Sequence, residues 1–169
     1  MRVGIGIRPI VSSLKKVEDL EEFLEAIFVE MADFKDIEVH SDNLDNFEII
    51  LLKLAKRSGF RFSIHCIHMC MKHKINFCSA VSKDIKNADA ELKKSIEYAK
   101  KLNAKYIILH PDIPKKCSKK KALEILEQHL KTNMKLLNKN QKILIENMPG
   151  EEYALSTPEE FKIFLKIIT

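Results

Sequence analysis

Apolar positions along this 169-residue chain alternate between two periods. Short runs of four to six residues read as strands, and longer stretches with apolar residues three and four apart read as helices. Residues 2–10 (Val-Gly-Ile-Gly-Ile within them) form the first run, closed by Arg8-Pro9. Val17, Leu20, Phe23, Leu24, Ile27, Phe28 and Met31 then fall on one helical face. A second strand is predicted over 36–41, a second helix over 43–56 with Ser58-Gly59 as its stop, and a third strand over 60–65. Residues 66–87 are the least regular stretch. A helix is expected over 89–102, with Asn103 as its C-terminal cap, and a strand over 105–110. A lysine-dense loop (Lys115, Lys116, Lys119, Lys120, Lys121) leads to a helix over 122–137. A fifth strand spans 142–147, and Thr157-Pro158-Glu159-Glu160 starts the last helix: a cap, a proline in the first turn, then two acids near the positive helix end.

Strand and helix therefore alternate five times within what reads as one domain over 1–169. That order implies a parallel sheet with right-handed crossovers. An open doubly wound sheet and part of a (β/α)8 barrel both satisfy it. A whole barrel needs eight strands and about 250 residues. The strands read as apolar on both faces, as in buried parallel sheets.

Three of the runs end in polar residues. Residues 60–65 end in His65, 106–110 in His110, and 142–147 in Glu146-Asn147. If the strands are parallel, all three ends lie on one rim, where sites are built in such folds. Two imidazoles and a carboxylate make a mixed nitrogen and oxygen ligand set for a divalent metal. The plainer alternatives are hydrogen-bonded histidines at strand ends and an ion pair between Glu146 and a lysine. Glu38 and His40 share parity on the second strand, so they line the site or pair with each other.

Composition narrows the field modestly. No apolar run reaches the roughly 18 residues that suggest a membrane span, and Arg8-Pro9 interrupts the N-terminal run before it resembles a signal peptide. Four cysteines (Cys66, Cys70, Cys78, Cys117) without a secretion signal suit reduced thiols and a cytoplasmic location. The His65-Cys66, His68, Cys70, His73 cluster lacks paired zinc-finger spacing. A net charge of +5 permits an anionic ligand without requiring one.

Several segments together resemble the xylose isomerase-like TIM-barrel superfamily, which holds endonuclease IV and many sugar and sugar-phosphate isomerases and epimerases. They are Ser63-Ile64-His65, Ile75-Asn76-Phe77-Cys78-Ser79, residues 102–111 ending in Leu109-His110-Pro111, and residues 144–150 with Glu146-Asn147-Met148-Pro149-Gly150. The resemblance implies a partial (β/α)8 TIM barrel of five β/α units, truncated after the fifth. It implies His65, His110 and Glu146 as metal ligands of the endonuclease IV kind, with Glu146 also the strand-five catalytic carboxylate of the isomerases. The implied metal is zinc, with manganese or magnesium as alternatives. Two activities follow: phosphodiester hydrolysis at abasic sites in DNA, slightly favoured and pointing to DNA repair, or isomerisation or epimerisation of a sugar or sugar phosphate. An inactive fragment or binding module is the third reading. The implied partners are DNA or a sugar phosphate, with no membrane, and a homo-oligomer or second polypeptide that completes the barrel. The sequence departs from the family pattern at Cys66-Ile67, where a small residue and proline are usual, and at Asp112, where glycine is usual.

Overall fold

The computed structural model describes residues 4–6, 19, 22–23, 26, 36–42, 44–56, 59–66 and 75–168. Five strands appear among them: β1 (Gly4–Gly6), β2 (Asp36–His40), β3 (Arg61–His65), β4 (Tyr106–Leu109) and β5 (Lys142–Ile145). They form one sheet in the order β1-β2-β3-β4-β5, and each neighbouring pair is parallel. Four helices are described: α1 (Leu44–Lys56), α2 (Ser82–Lys101), α3 (Lys119–Met134) and α4 (Pro158–Ile168). Sequential parallel order with intervening helices is barrel order. A doubly wound sheet would reverse direction at a switch point. The fold is thus a partial (β/α)8 barrel, one of the two architectures the pattern left open and the one the family resemblance implied.

The helix predicted over 17–31 lies mostly outside the described residues. Asp19, Glu22, Phe23 and Ala26 are helical, and Phe23 packs on the core. No described helix is long and apolar enough to cross a membrane.

Strand parity divides the sheet into two faces. Ile37, Val39, Phe62, Ile64, Ile107 and Leu109 point outward under the helices and are buried with Leu92, Ile96, Leu126 and Leu130. The other parity carries Glu38, His40, Ser63, His65, Tyr106, Ile108 and Leu144. Most of that face is half-buried, and Leu144 is exposed. Burial on both faces, expected from the sequence, therefore holds on one face only among the described residues. Interior side chains of a closed barrel cover one another across the lumen, and five strands leave much of that cover out.

Register is pinned at the N-terminal end of β2 and β3, where Asp36 pairs with Arg61. The guanidinium reaches the carboxylate twice, at 2.5 and 2.9 Å. Two chain reversals use left-handed backbone where the sequence pointed to them, at Gly59 (φ 103°) and Asn103 (φ 51°).

Two helix starts differ from the sequence reading. α2 begins at Ser82 rather than near residue 89, so part of the irregular stretch is helical. Its start is built from outside the helix. The Ser79 hydroxyl accepts from Val81 N at 3.1 Å and donates to Asp84 at 2.8 Å, and Lys115 Nζ reaches Asp84 at 2.7 Å. α3 begins at Lys119 rather than 122, because Ser118 caps it by accepting from Lys121 N. Three lysines assigned to a loop thus belong to its first turn.

The start of α4 is a capping box. Glu160 N donates to Thr157 Oγ1, and Thr157 N donates to Glu160 Oε2 at 3.0 Å. Ser156 N donates to the same oxygen, and Lys119 forms an ion pair with the carboxylate. Burial alone would raise the Glu160 pKa. The Lys119 bond and the two amides outweigh it and hold the carboxyl at about 2. The charged form is favoured in the fold, so its contribution is complete above the ordinary value of 4.5 and is lost as pH falls from there toward 2. Glu160→Ala should lower unfolding free energy by about 1 kcal/mol at neutral pH. Urea denaturation should show that gap closing below pH 4.5. A gap independent of pH would remove the charge from the explanation.

Candidate metal centre

Because β3, β4 and β5 run in parallel, the polar ends of all three runs come to one rim. His65 is level with Ile108 across the β3–β4 ladder. His110 follows one pleat period later, on the same face. The ladder continues past the strand ends: Cys66 N donates to Ile108 O at 2.9 Å, and Glu146 N donates to Leu109 O at 3.0 Å. These backbone bonds fix the spacing of the three side chains.

The result is a tight cluster. His65 Nε2 lies 2.7 Å from His110 Nε2, His110 Nε2 lies 2.8 Å from Glu146 Oε2, and His65 Nε2 lies 3.9 Å from the same oxygen. Both histidines are buried (8% exposed each), whereas the Glu146 side chain is 49% exposed. No lysine pairs with Glu146 in the described structure; its partners are the two histidines.

Parity on β2 offered Glu38 and His40 as residues that line the site or pair with each other, and the structure brings both to the same cluster. Glu38 Oε1 lies 2.9 Å from His65 Nδ1 and 3.8 Å from His40 Nε2. The His40 ring stacks on His65 with centroids 4.4 Å apart and planes 15° apart.

Among the described residues, two groups of side chains are close enough to hold an ion: Glu38, His40 and His65, and His65, His110 and Glu146. Ring geometry separates them. Imidazole donates its lone pair in the ring plane. Stacked, nearly parallel rings keep their lone pairs in separate planes, so His40 and His65 do not share one in-plane point close to both. The rings of His65 and His110 are tilted by 55°, and their Nε2 atoms approach head-on. An ion held tetrahedrally at about 2.0–2.1 Å has ligand atoms about 3.3 Å apart. The three edges of the second group straddle that value. A ligating histidine also commonly gives its other N–H to a carboxylate, and Glu38 stands where His65 would do so. The residues present fit a divalent metal.

Electrostatics agree. Burial lowers the His110 pKa, the neighbouring His65 lowers it further, and Glu146 opposes both. The hydrogen bond to His65 holds the Glu38 carboxyl below its usual range, with His65, His40 and His110 adding to it against the opposing effect of burial. Near neutral pH the centre therefore presents a neutral His110 and an ionised Glu38.

A family sequence model for the xylose isomerase-like TIM barrel matches residues 22–169. The chain belongs to this family. No curated protein matches the sequence. Among solved structures, a D-tagatose 3-epimerase-like protein superposes with a TM-score of 0.74 at 22% identity, covering 100% of this chain and 60% of the other. The IOLI protein with a bound zinc atom gives 0.72 at 15% identity, covering 99% and 59%. Endonuclease IV from Thermus thermophilus gives 0.60 at 16% identity, covering 96% and 57%. At these identities the likeness is one of fold. The chain spans about 60% of the length of the structures it matches.

The two departures from the family pattern have structural roles here. Asp112 is fully buried. Its carboxylate accepts from Phe77 N at 2.8 Å and its carbonyl from Ala154 N at 3.1 Å, so it ties the long β3–α2 connection and the segment after β5 to the end of β4. Asn76 and Ser79 complete that tie, through Asn76 Nδ2 to Ile113 O and a parallel bridge between Ser79 and Lys115. Cys66 turns away from the cluster into the core. Residues 67–74, with His68, Cys70 and His73, lie outside the described residues. Of the lysine cluster, Lys115 pairs with Asp84, Lys119 with Glu160 and Lys121 with Glu124, so three of the five serve the fold.

Burial pushes the Cys66 thiol up to about 12 against a lowering bond to Ser95, and burial raises Cys78 likewise. Neither supplies a thiolate near neutral pH. Iodoacetamide should leave both unmodified in the folded protein and alkylate both in guanidinium, as read by peptide mass spectrometry. Rapid native labelling of Cys66 would mean that it reaches the rim.

Proposed function

We propose that the protein is a metal-dependent enzyme in which His65, His110 and Glu146 hold a divalent ion, zinc first, and that it hydrolyses phosphodiesters at abasic sites in DNA. The observation that carries this reading is the convergence of His65 Nε2, His110 Nε2 and Glu146 Oε2 at one strand-end rim. Two histidines and one glutamate form a known ligand set of hydrolytic zinc sites that keep an open position. The bound ion would supply Lewis acidity and lower the pKa of water.

The chain's own residues do the rest. His65 and His110, buried and backed by the sheet, hold their rings in fixed planes and keep bulk water from that side. Glu146 stands at the open side of the cluster with half its side chain exposed. A substrate oxygen reaching the centre therefore passes Glu146 first. Glu38 balances positive charge behind His65. The cluster lies in a cytoplasmic protein with reduced thiols. Further β/α units, on whatever polypeptide they reside, would meet the β5 edge, where Met134, Leu144 and Leu165 are exposed.

A second reading is a sugar or sugar-phosphate epimerase. The half-exposed Glu146 favours it, since a carboxylate there can bind a sugar hydroxyl or move a proton at an adjacent carbon.

Protein purified without added metal should carry about one equivalent of zinc by elemental analysis. His110→Ala should lose it while keeping its far-UV circular dichroism. Less than about a tenth of an equivalent in the parent protein, unrestored by added zinc, manganese or magnesium, would sink the metal reading.

An oligonucleotide with one abasic site should be nicked by the metal-loaded protein, and Glu146→Gln should cost about a hundredfold or more in rate. No nicking, together with turnover of a ketose or ketose phosphate, would transfer the assignment to epimerisation. Inactivity on both panels with metal bound would favour a binding module.

A further inference from the structure

We infer that Glu38 is a positioning residue, which holds His65 as the Nδ1–H tautomer so that its Nε2 lone pair faces His110 and Glu146. The inference rests on the zinc reading above, but it is argued from hydrogen bonds that need no ion. Glu38 Oε1 lies 2.9 Å from His65 Nδ1. An ionised carboxylate only accepts, so the proton between them belongs to the ring. A neutral imidazole has one N–H, which leaves His65 Nε2 as an acceptor. Its neighbour at 2.7 Å is His110 Nε2, which is itself 2.8 Å from Glu146 Oε2. Two acceptors flank that nitrogen, so His110 carries the N–H and shares it between them.

The proton order along the rim is thus set from the β2 side. Glu38 accepts from His65, and His65 and Glu146 accept from His110. An ion entering between the Nε2 atoms would meet one lone pair already presented, at His65, and only the His110 ring would have to move its proton from Nε2 to Nδ1. Without Glu38, the His65 ring is released to the Nε2–H form that free imidazole side chains prefer in water. The His65 Nε2 lone pair would then be covered by a proton, and that ring too would have to change tautomer before an ion could bind. The His40 ring, stacked 4.4 Å from His65, restrains the plane in which this selection acts.

Glu38 touches neither the proposed ion position nor a substrate, so its effect passes through His65. A merely structural carboxylate would stabilise the β2–β3 pair and leave the tautomer alone. Long-range proton–nitrogen correlation NMR on the metal-free protein near neutral pH separates these roles. The wild type should show His65 with N–H on Nδ1. Glu38→Ala should shift it to Nε2–H or to an exchanging mixture. Glu38→Gln, whose amide oxygen also accepts, should restore the wild-type pattern. In chelator competition, Glu38→Ala should bind zinc about 10–100-fold more weakly than wild type, with Glu38→Gln closer to wild type.

A wild-type His65 protonated on Nε2, or a tautomer unmoved by Glu38→Ala, would overturn the inference. If Glu38→Ala fails to fold, the wild-type and Glu38→Gln spectra still decide it. If the wild type binds no zinc, the metal reading falls on its own, and the tautomer spectra still judge Glu38.

Discussion

The parallel register of β3, β4 and β5 is the constraint on which the rest depends. In a parallel ladder the strand ends share a rim and residues of one parity share a face. His65, His110 and Glu146 are separated by 45 and 36 residues in sequence. They meet because each ends a strand of the same sheet at the same parity. A one-residue slip of β4 would turn His110 into the helix layer and bring Leu109 to the centre. Backbone bonds beyond the strand ends, from Cys66 N to Ile108 O and from Glu146 N to Leu109 O, extend the ladder through the site itself. The scaffold and the site are held by the same ladder.

Much of this was legible in the sequence. Periodicity located five strands, because fully apolar runs such as Ile107-Ile108-Leu109 have few other uses in a chain with helices between them, but it left their order in the sheet open. The rim residues were legible because each run ends in a polar group. Helix starts were less so. The onset of α2 at Ser82 depends on Ser79, Asp84 and Lys115, and Lys115 comes from a different connection. No local pattern encodes an ion pair to Asp84 supplied from 31 residues away. Glu38 and His40 were visible, from shared parity, as residues that line the site or pair with each other. Their pairing with His65 needed the β2–β3 register, which sets His40 level with His65. Asp112 read as an irregularity, and its role appears only when Phe77 N is found on its carboxylate.

The family assignment and the cluster geometry bear on different links of the argument. Membership fixes the scaffold and its rim, and barrels of this kind host several chemistries on one frame. The ring planes of His65 and His110 bear on this chain's own chemistry. They distinguish two neighbouring candidate groups that share His65, and only one of these has lone pairs that converge.

Exposure around the cluster then gives the site a direction. The histidines are sealed by the sheet behind them, while Glu146 is half-exposed on the same inner face as exposed Leu144. Glu146 stands just beyond the end of β5, the last strand in the described sheet. A ligand atom added to complete a tetrahedron around the three donors must therefore come from the β5 side or from the lumen. The same opening that leaves inner-face side chains half-buried leaves a coordination position accessible. A zinc site closed by four protein ligands is structural, whereas one with three ligands and an open side can act on a substrate. On that criterion the proposed function rests on the three donors keeping one position open.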